Sequence, residues 1–371
     1  MIFTLCISMC GIAVLKLLSV DANAGSGGSV ATFAPSSSED NSSVVRGIWI
    51  NYNELSTTEN DESKYREKID KMFADIKKAD LNVAFVQVRA FNDAFYKSKY
   101  FSPTKYLCNG NVSFDALEII CDVAEKYDIS VHAWINPYRV SYDTSTAATE
   151  LMLKTSSGVF YDPGNADARS LILNGVKELI SNYDIDGIHI DDYFYPADIG
   201  STDAASYAAY TDGGGTLAQG AWRRSNVNTL LRYIYETLKS TDKDLIFSIS
   251  PSADIDKNYS EYYADVYSWC GNKGYADWII PQVYFGFQNQ SLPFSSTVTA
   301  WEGLIKNSSV KLIIGLPGYK IGEVDEYAGT GKNEFLTDGA GIIKKQIDEI
   351  NKRKACYGYS IYSYSSLEKM S

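Results

Sequence analysis

The residues best equipped for chemistry are two adjacent carboxylates, Asp191 and Asp192. They lie in the run Asp186-Gly187-Ile188-His189-Ile190-Asp191-Asp192-Tyr193-Phe194-Tyr195-Pro196. Ile188 and Ile190 alternate with Gly187 and His189, the two-residue period of a strand, and Pro196 cannot extend a ladder. The acids therefore stand at a strand's C-terminal end, ahead of three aromatics. Glycoside hydrolysis uses two carboxyls, one as acid and the other as base or nucleophile. An Asp pair also caps helices or binds cations; the histidine and the Tyr-Phe-Tyr run favour a site. By alternation Asp191 shares a face with His189, which is expected to lie beside it and hydrogen-bond either the carboxylate or a sugar. Asp192 is expected to point toward the loop. Neighbours on one strand rarely straddle a sugar, so a second carboxyl is expected from another strand. Glu54, Asp93, Asp254 and Glu334 are the candidates, and spacing singles out none.

Patterning then gives the elements that position these groups. Strands are predicted over Arg46–Asn51, Asn82–Arg89, Ser130–Asn136, the opening run, Leu245–Pro251, Tyr275–Tyr284, Lys311–Leu316 and Tyr357–Ser363. Helices are predicted over Glu62–Ala79, Ser113–Tyr127, Leu171–Tyr183, Trp222–Lys239, Tyr259–Cys270, Thr297–Lys306 and Gly341–Lys352. Such alternation predicts an α/β fold, a (β/α)8 TIM barrel, with catalytic groups at the C-terminal ends of strands. Little chain follows the eighth strand, so its helix is expected to be short or missing. Ala197–Gly220 is rich in Ala, Gly, Ser and Tyr and reads as a long functional or mobile loop.

Strand ends also supply the candidate binding set. Arg89, Asn136, Tyr138, His189, Gln282 and Tyr284 suit recognition of hydroxyl and N-acetyl groups. Trp134 shares a face with His132 and Asn136, while Asp93, Glu334, Tyr193 and Tyr195 come from loops. His132 alone means little, because a lone histidine on an apolar strand is usually a core residue.

With these pieces placed, the chain resembles glycosyl-hydrolase-like family 10, the YngK-like secreted bacterial proteins. Arg46-Gly47-Ile48-Trp49, Val86-Gln87-Val88-Arg89 with Asp93-Ala94-Phe95-Tyr96, and His132 through Arg139 carry the resemblance. So do Asp186 through Pro196, Pro281 through Gly286, Gly315-Leu316, Gly331-Lys332-Asn333-Glu334 and Ser363 through Leu367. The resemblance implies a TIM-barrel glycosidase acting on bacterial cell-wall glycan strands. It also implies that the fourth-strand acids match in position the catalytic Asp of amylase-like barrels.

Composition narrows the classes further. The chain has 371 residues, 45% of them hydrophobic, with 28 Tyr and a formal charge of −12. Tyrosine suits stacking on sugar faces, and it is also a common rim residue. No Lys/Arg block appears, so nucleic acid is not expected as a partner. With only His132 and His189, no metal site or cofactor is expected, although oxygen ligands could hold Ca²⁺. Residues 1–24 read as a signal peptide cleaved after Ala22-Asn23-Ala24, and 25–43 as a flexible Gly/Ser/Ala linker. The barrel occupies 44–371, and the mature protein is expected to be a secreted or cell-surface monomer without a membrane span. Cys108, Cys121, Cys270 and Cys356 read as buried free thiols, a Cys108–Cys121 bridge being the weaker option.

Three functions remain open at this level. The first is a glycoside hydrolase on peptidoglycan or a related amino-sugar polymer. The second is a non-catalytic glycan-binding barrel, and the third a lyase or lytic transglycosylase, for which one carboxyl suffices.

Overall fold

The computed structural model describes residues 44–192 and 194–370. The predicted leader and linker, and Tyr193, lie outside the described residues. Eight parallel strands form a closed barrel. They are β1 Val45–Ile50, β2 Val83–Arg89, β3 Ser130–Ile135, β4 Gly187–Ile190, β5 Ile246–Ile249, β6 Trp278–Ile279, β7 Lys311–Leu316 and β8 Cys356–Tyr362. Sequence neighbours are spatial neighbours, and β8 returns to β1 with Trp49 opposite Tyr362. Outside them lie α1 Glu62–Lys78, α2 Ala116–Tyr127, α3 Ala166–Asn182, α4 Gln219–Thr241, α5 Val266–Gly271, α6 Phe294–Leu304 and α7 Glu334–Ile350. After β8 the described residues form a 3₁₀ turn, Tyr364–Met370. Its Tyr364 hydroxyl donates to Asp75 Oδ2 of α1 at 2.9 Å, tying this turn to the first helix.

Local chemistry explains where these helices start. Asp61, Asp115 and Asn165 precede α1, α2 and α3, and each side chain accepts backbone N–H groups of the first turn. Helix α1 buries Tyr65, Ile69, Met72, Phe73 and Ile76, a stripe at helical spacing, and ends in Lys77 and Lys78 where its dipole is negative.

A second device fixes the strands at the barrel's N-terminal end. Asn82 Oδ1 accepts from Arg46 N at 2.8 Å, Asp186 Oδ2 from Val131 N at 2.7 Å, and Asp277 Oδ2 from Phe247 N at 2.8 Å. Each donor begins or nearly begins an odd-numbered strand, and each acceptor precedes the next strand. These side chains satisfy backbone donors at the end of the barrel associated with stability.

The barrel interior is packed with rings. Phe85 contacts Trp49 at 5.5 Å, His132 at 5.2 Å and His189 at 4.6 Å between centroids, and His132 stacks on Trp278 at 4.9 Å. Gly187 makes room for this layer. A Cβ there would meet Ile246 O at 2.3 Å and the His132 ring at 3.0 Å.

Four elements differ from the sequence expectation. The sixth strand pairs on both sides only at Trp278–Ile279, because the chain turns at Pro281, which has no N–H for a ladder. Bridges Ser252–Gln282 and Gln282–Gly315 still hold Gln282 between β5 and β7. The predicted helix Tyr259–Cys270 is two pieces, Ile255–Ser260 and α5, with Tyr263 at φ 54° between them. The long loop after β4 contains a helix, Ala204–Asp212. The loop after β3 folds into an antiparallel sheet of Arg139–Ser141, Met152–Thr155 and Gly158–Tyr161. All four cysteines named above are free, so Cys108 and Cys121 are not bridged.

Candidate active site

Asp191 and Asp192 follow the last residue of β4 at the C-terminal mouth. Asp191 is 3% exposed. It lies within electrostatic reach of the Arg89 guanidinium, which is 1% exposed at the end of β2. Arg89 donates to Phe91 O at 3.3 Å and Pro137 O at 2.9 Å and lies over the Phe101 ring at 4.7 Å. So placed, it braces the β2 and β3 loops and supplies positive charge from beneath the mouth. Burial lowers its pKa, and Asp191 is among the groups that oppose this.

Asp192 is half-buried and turns the other way. Its carboxyl is hydrogen-bonded by the Gln282 side chain, which also donates to Ser250 O at 3.2 Å. Burial raises the Asp192 pKa, opposed by Gln282 and by the charge of Arg139. The residue expected to face the loop therefore reaches across β5 toward the sixth strand. The strand's alternation stops at Ile190, and so does the parity that predicted otherwise.

A relay orients the end of β3. Tyr52 N donates to Gln87 Oε1 at 3.1 Å, and Gln87 Nε2 donates to Asn136 Oδ1 at 3.1 Å. Asn136 is fully buried, and its Nδ2 has no partner among the described residues. Trp134 Nε1 on β3 and Ser250 Oγ after β5 are likewise buried without a partner. These groups come from the two strands that flank β4.

Aromatic clusters stand on both sides of the mouth. Tyr284, Tyr319 and Tyr362, from the loops after β6 and β7 and the end of β8, meet with centroids 5.8 to 6.0 Å apart. On the other side Tyr52 lies 5.3 Å from Phe91 and 4.6 Å from Tyr106. Arg139 sits between Phe91, at 4.8 Å, and Tyr142, at 4.6 Å. Tyr319 and Tyr142 are 37% and 42% exposed.

The other candidate residues occupy different positions. Both ring nitrogens of His189 are taken, Nε2 by Trp49 Nε1 at 3.0 Å and Nδ1 by Ser248 Oγ at 2.8 Å. Fully buried, it packs the barrel layer below the mouth rather than pairing with Asp191, which corrects the expected contact. Glu54 accepts from Asn51 N at 2.8 Å, Ser363 Oγ at 2.8 Å and Ser365 N at 2.7 Å, so its carboxylate joins the loops after β1 and β8. Burial raises its pKa against those bonds. Glu334 accepts from Phe287 N at 3.1 Å and Gln288 N at 2.8 Å, clipping the loop after β6. Asp254 caps the helix Ile255–Ser260 through Lys257 N at 3.0 Å. Asp93 is half-buried beside Thr104, and burial raises its pKa. Tyr138 is fully buried, its hydroxyl without a partner among the described residues, and Tyr195 is buried with its hydroxyl accepting from Asn226 Nδ2 at 3.3 Å. Among the described residues no cluster of three His, Cys, Asp or Glu forms a metal site, and no helix is long and apolar enough to cross a membrane.

Sequence patterning missed Tyr52, Phe91, Tyr106, Tyr142, Tyr319, Tyr362 and Ser250. Tyr52, Phe91, Ser250, Tyr319 and Tyr362 stand at, or within three residues of, a barrel strand's last residue. Position alone could have flagged those five.

A parallel eight-stranded barrel with polar groups gathered at its C-terminal mouth is the architecture of TIM-barrel enzymes, whose active sites sit at that end. The chain belongs to the Glycosyl hydrolase-like 10 family, whose model matches residues 44–329. It is 30% identical over 282 residues to Glycosyl hydrolase YngK of Bacillus subtilis, covering 68% of this chain and 55% of that protein. It is 28% identical over 366 residues to Glycosyl hydrolase DigH of Escherichia coli K12, covering 85% of this chain and 81% of that one. The chain thus spans about half the length of YngK. Its fold is also that of the PgaB (BpsB) glycoside hydrolase domain from Bordetella bronchiseptica, with a TM-score of 0.61 at 13% identity, over 88% of this chain and 95% of that domain.

Proposed function

We propose that the protein is a secreted glycoside hydrolase that cleaves peptidoglycan-type or related amino-sugar glycan strands by carboxylate acid/base catalysis. One observation carries this most directly: Asp191 and Asp192 diverge from the end of β4 into a mouth flanked by tyrosine clusters. Tyrosine rings offer apolar faces to sugar rings, and their hydroxyls meet sugar oxygens. Buried polar atoms of Asn136, Trp134 and Ser250 stand ready for a polar ligand. Family membership and the names of YngK and DigH point the same way. Export is supported by the apolar stretch of residues 1–24 and its Ala-Asn-Ala end.

Incubation with purified glycan strands tests the function. New reducing ends are expected. Binding without them would favour a non-catalytic barrel, and unsaturated or anhydro products would favour a lyase or lytic transglycosylase.

A further inference from the structure

Resting on that amino-sugar reading, we propose that the hydrolysis is substrate-assisted. The 2-acetamido oxygen of a β-linked sugar is the nucleophile, Asp192 is the acid and base, and Asp191 holds the acetamido N–H.

The first support is the position of the acids. A double-displacement enzyme with its own nucleophile places two carboxyls about 5–5.5 Å apart on opposite faces of the anomeric carbon, and an inverting enzyme places them about 6.5–9.5 Å apart. Asp191 and Asp192 are consecutive at the end of β4, one carboxyl lying toward Arg89 and the other toward Gln282, so neither is supplied from the wall across the mouth.

The second support is the opposite wall, formed by the loops after β7, β8 and β1. Among the described residues, its carboxylates that are not exposed are already engaged. Glu54 accepts three hydrogen bonds, and Asp325 is paired with Lys320 at 2.6 Å. Glu334, at the start of α7, is held by two backbone amides. Tyr319 and Tyr362 stand on that wall instead. Among the described residues, no buried or half-buried carboxylate of that wall is left unengaged to serve the far face, and a 2-acetamido group brings its own nucleophile.

The third support is the floor. An acetamido group presents one carbonyl acceptor and one N–H donor. Asn136 Nδ2 and Trp134 Nε1 are buried donors without partners, beside β4. The relay from Tyr52 N through Gln87 leaves Asn136 no choice but to direct its NH2 away from Gln87. Asp191, kept in the field of Arg89, is the acceptor for the N–H.

The steps balance. The C1–O bond breaks, its electron pair goes to the leaving oxygen, and that oxygen takes the Asp192 proton. The acetamido oxygen bonds to C1 and forms an oxazolinium ring, whose N–H charge faces the Asp191 carboxylate. Water then gives a proton to Asp192 and bonds to C1. The ring oxygen leaves C1, the acetamide is restored, and the configuration is retained. The net change is the addition of one water.

The test uses the full protein and aryl β-glycosides of N-acetylglucosamine whose acetyl methyl carries zero to three fluorines. Fluorine withdraws electrons from the acetamido oxygen, so kcat/KM is expected to fall at each step. NMR is expected to show β product first, and the thiazoline analogue of N-acetylglucosamine to inhibit. Asp192→Asn is expected to lose roughly 10²-fold or more in kcat on the parent glycoside. Azide is expected to rescue an Asp192→Ala variant as β-glycosyl azide and not an Asp191→Ala variant. A flat fluorine series, α product, or a sugar trapped covalently on either Asp would overturn the proposal while leaving an amino-sugar hydrolase standing. Hydrolysis only of polymers that lack the acetamido group would overturn both.

Discussion

Trp49 Nε1 donates to His189 Nε2 at 3.0 Å across the barrel interior, and this bond settles which nitrogen of His189 carries the proton. An indole N–H can only donate, so Nε2 accepts and the proton sits on Nδ1, facing Ser248 Oγ at 2.8 Å. Trp49→Phe keeps a ring and leaves Nε2 buried without its donor. The loss is expected to be about 1–3 kcal/mol. In a chain of this size that is a fall of several degrees in Tm, read by calorimetry. An unchanged Tm would show that the bond contributes nothing.

His132 carries a pH dependence. Burial pushes its pKa down to about 3, and His189 is also pushed well below its ordinary value. A histidine depressed on folding contributes stability that is fully present above the unfolded value of about 6.5 and is lost as pH falls toward the folded value. Each fully shifted histidine contributes a slope of about 1.4 kcal/mol per pH unit in that window. Glu54 and Asp192, with raised values, act in the opposite sense. Comparison with His132→Phe cancels them. The variant is expected to show a shallower loss of stability between pH 6 and 4 in urea titrations, and parallel curves would refute the assignment.

Asp191→Asn keeps shape and removes charge. Turnover on glycan is expected to fall by roughly 10³-fold. Circular dichroism is expected to show an intact fold, because Arg89 keeps the carbonyls of Phe91 and Pro137. A stable variant with near-normal turnover would leave Asp192 as the first candidate.

Gln282 tunes Asp192. Its hydrogen bond lowers a carboxyl that burial raises. Gln282→Leu removes that bond, so the Asp192 pKa is expected to rise further. If Asp192 acts protonated, the alkaline limb of the kcat profile moves to higher pH. A limb that stays in place, or moves down, would disconnect Asp192 from the acid role.

Tyr319 tests the aromatic wall. At 37% exposure, meeting Tyr284 and Tyr362 edge-on, it contributes little to the core. Tyr319→Ala is expected to raise KM on long glycans with Tm nearly unchanged. Unaltered kinetics with a lowered Tm would make the wall a packing feature.

The fold was legible because barrel strands and helices each carry their own period. Helix α1 and strand β7 are found almost to the residue, since one buries a clear stripe and the other an apolar run. Ends decided by tertiary contact were not legible. Trp278–Ile279 is cut short by Pro281, and Asp254 caps a helix that periodicity had merged into α5. The site was legible at β4, where two acids follow an alternating strand. It was obscured wherever a polar side chain satisfies another part of the protein. Glu54, Glu334 and His189 look like ligand-facing groups in sequence, yet their polar atoms meet backbone amides, a serine or an indole. Such partners are distant in the chain, and no local pattern reveals them.

The Glu54–Ser363 bond joins residues 309 positions apart, and Trp49 opposes Tyr362 in the same seam. The ring therefore closes between almost the first and the last segments of the barrel. The pairs from β1–β2 to β6–β7 can form while the chain is still arriving, but β7–β8 and β8–β1 wait for β8, and only β8–β1 spans the whole barrel. Contacts of such long sequence separation cost loop-closure entropy and form late. A chain delivered N-terminus first, from a ribosome or through a membrane pore, holds an open sheet until β8 has been delivered. Its completed mouth, with the wall from β8, comes into being only then.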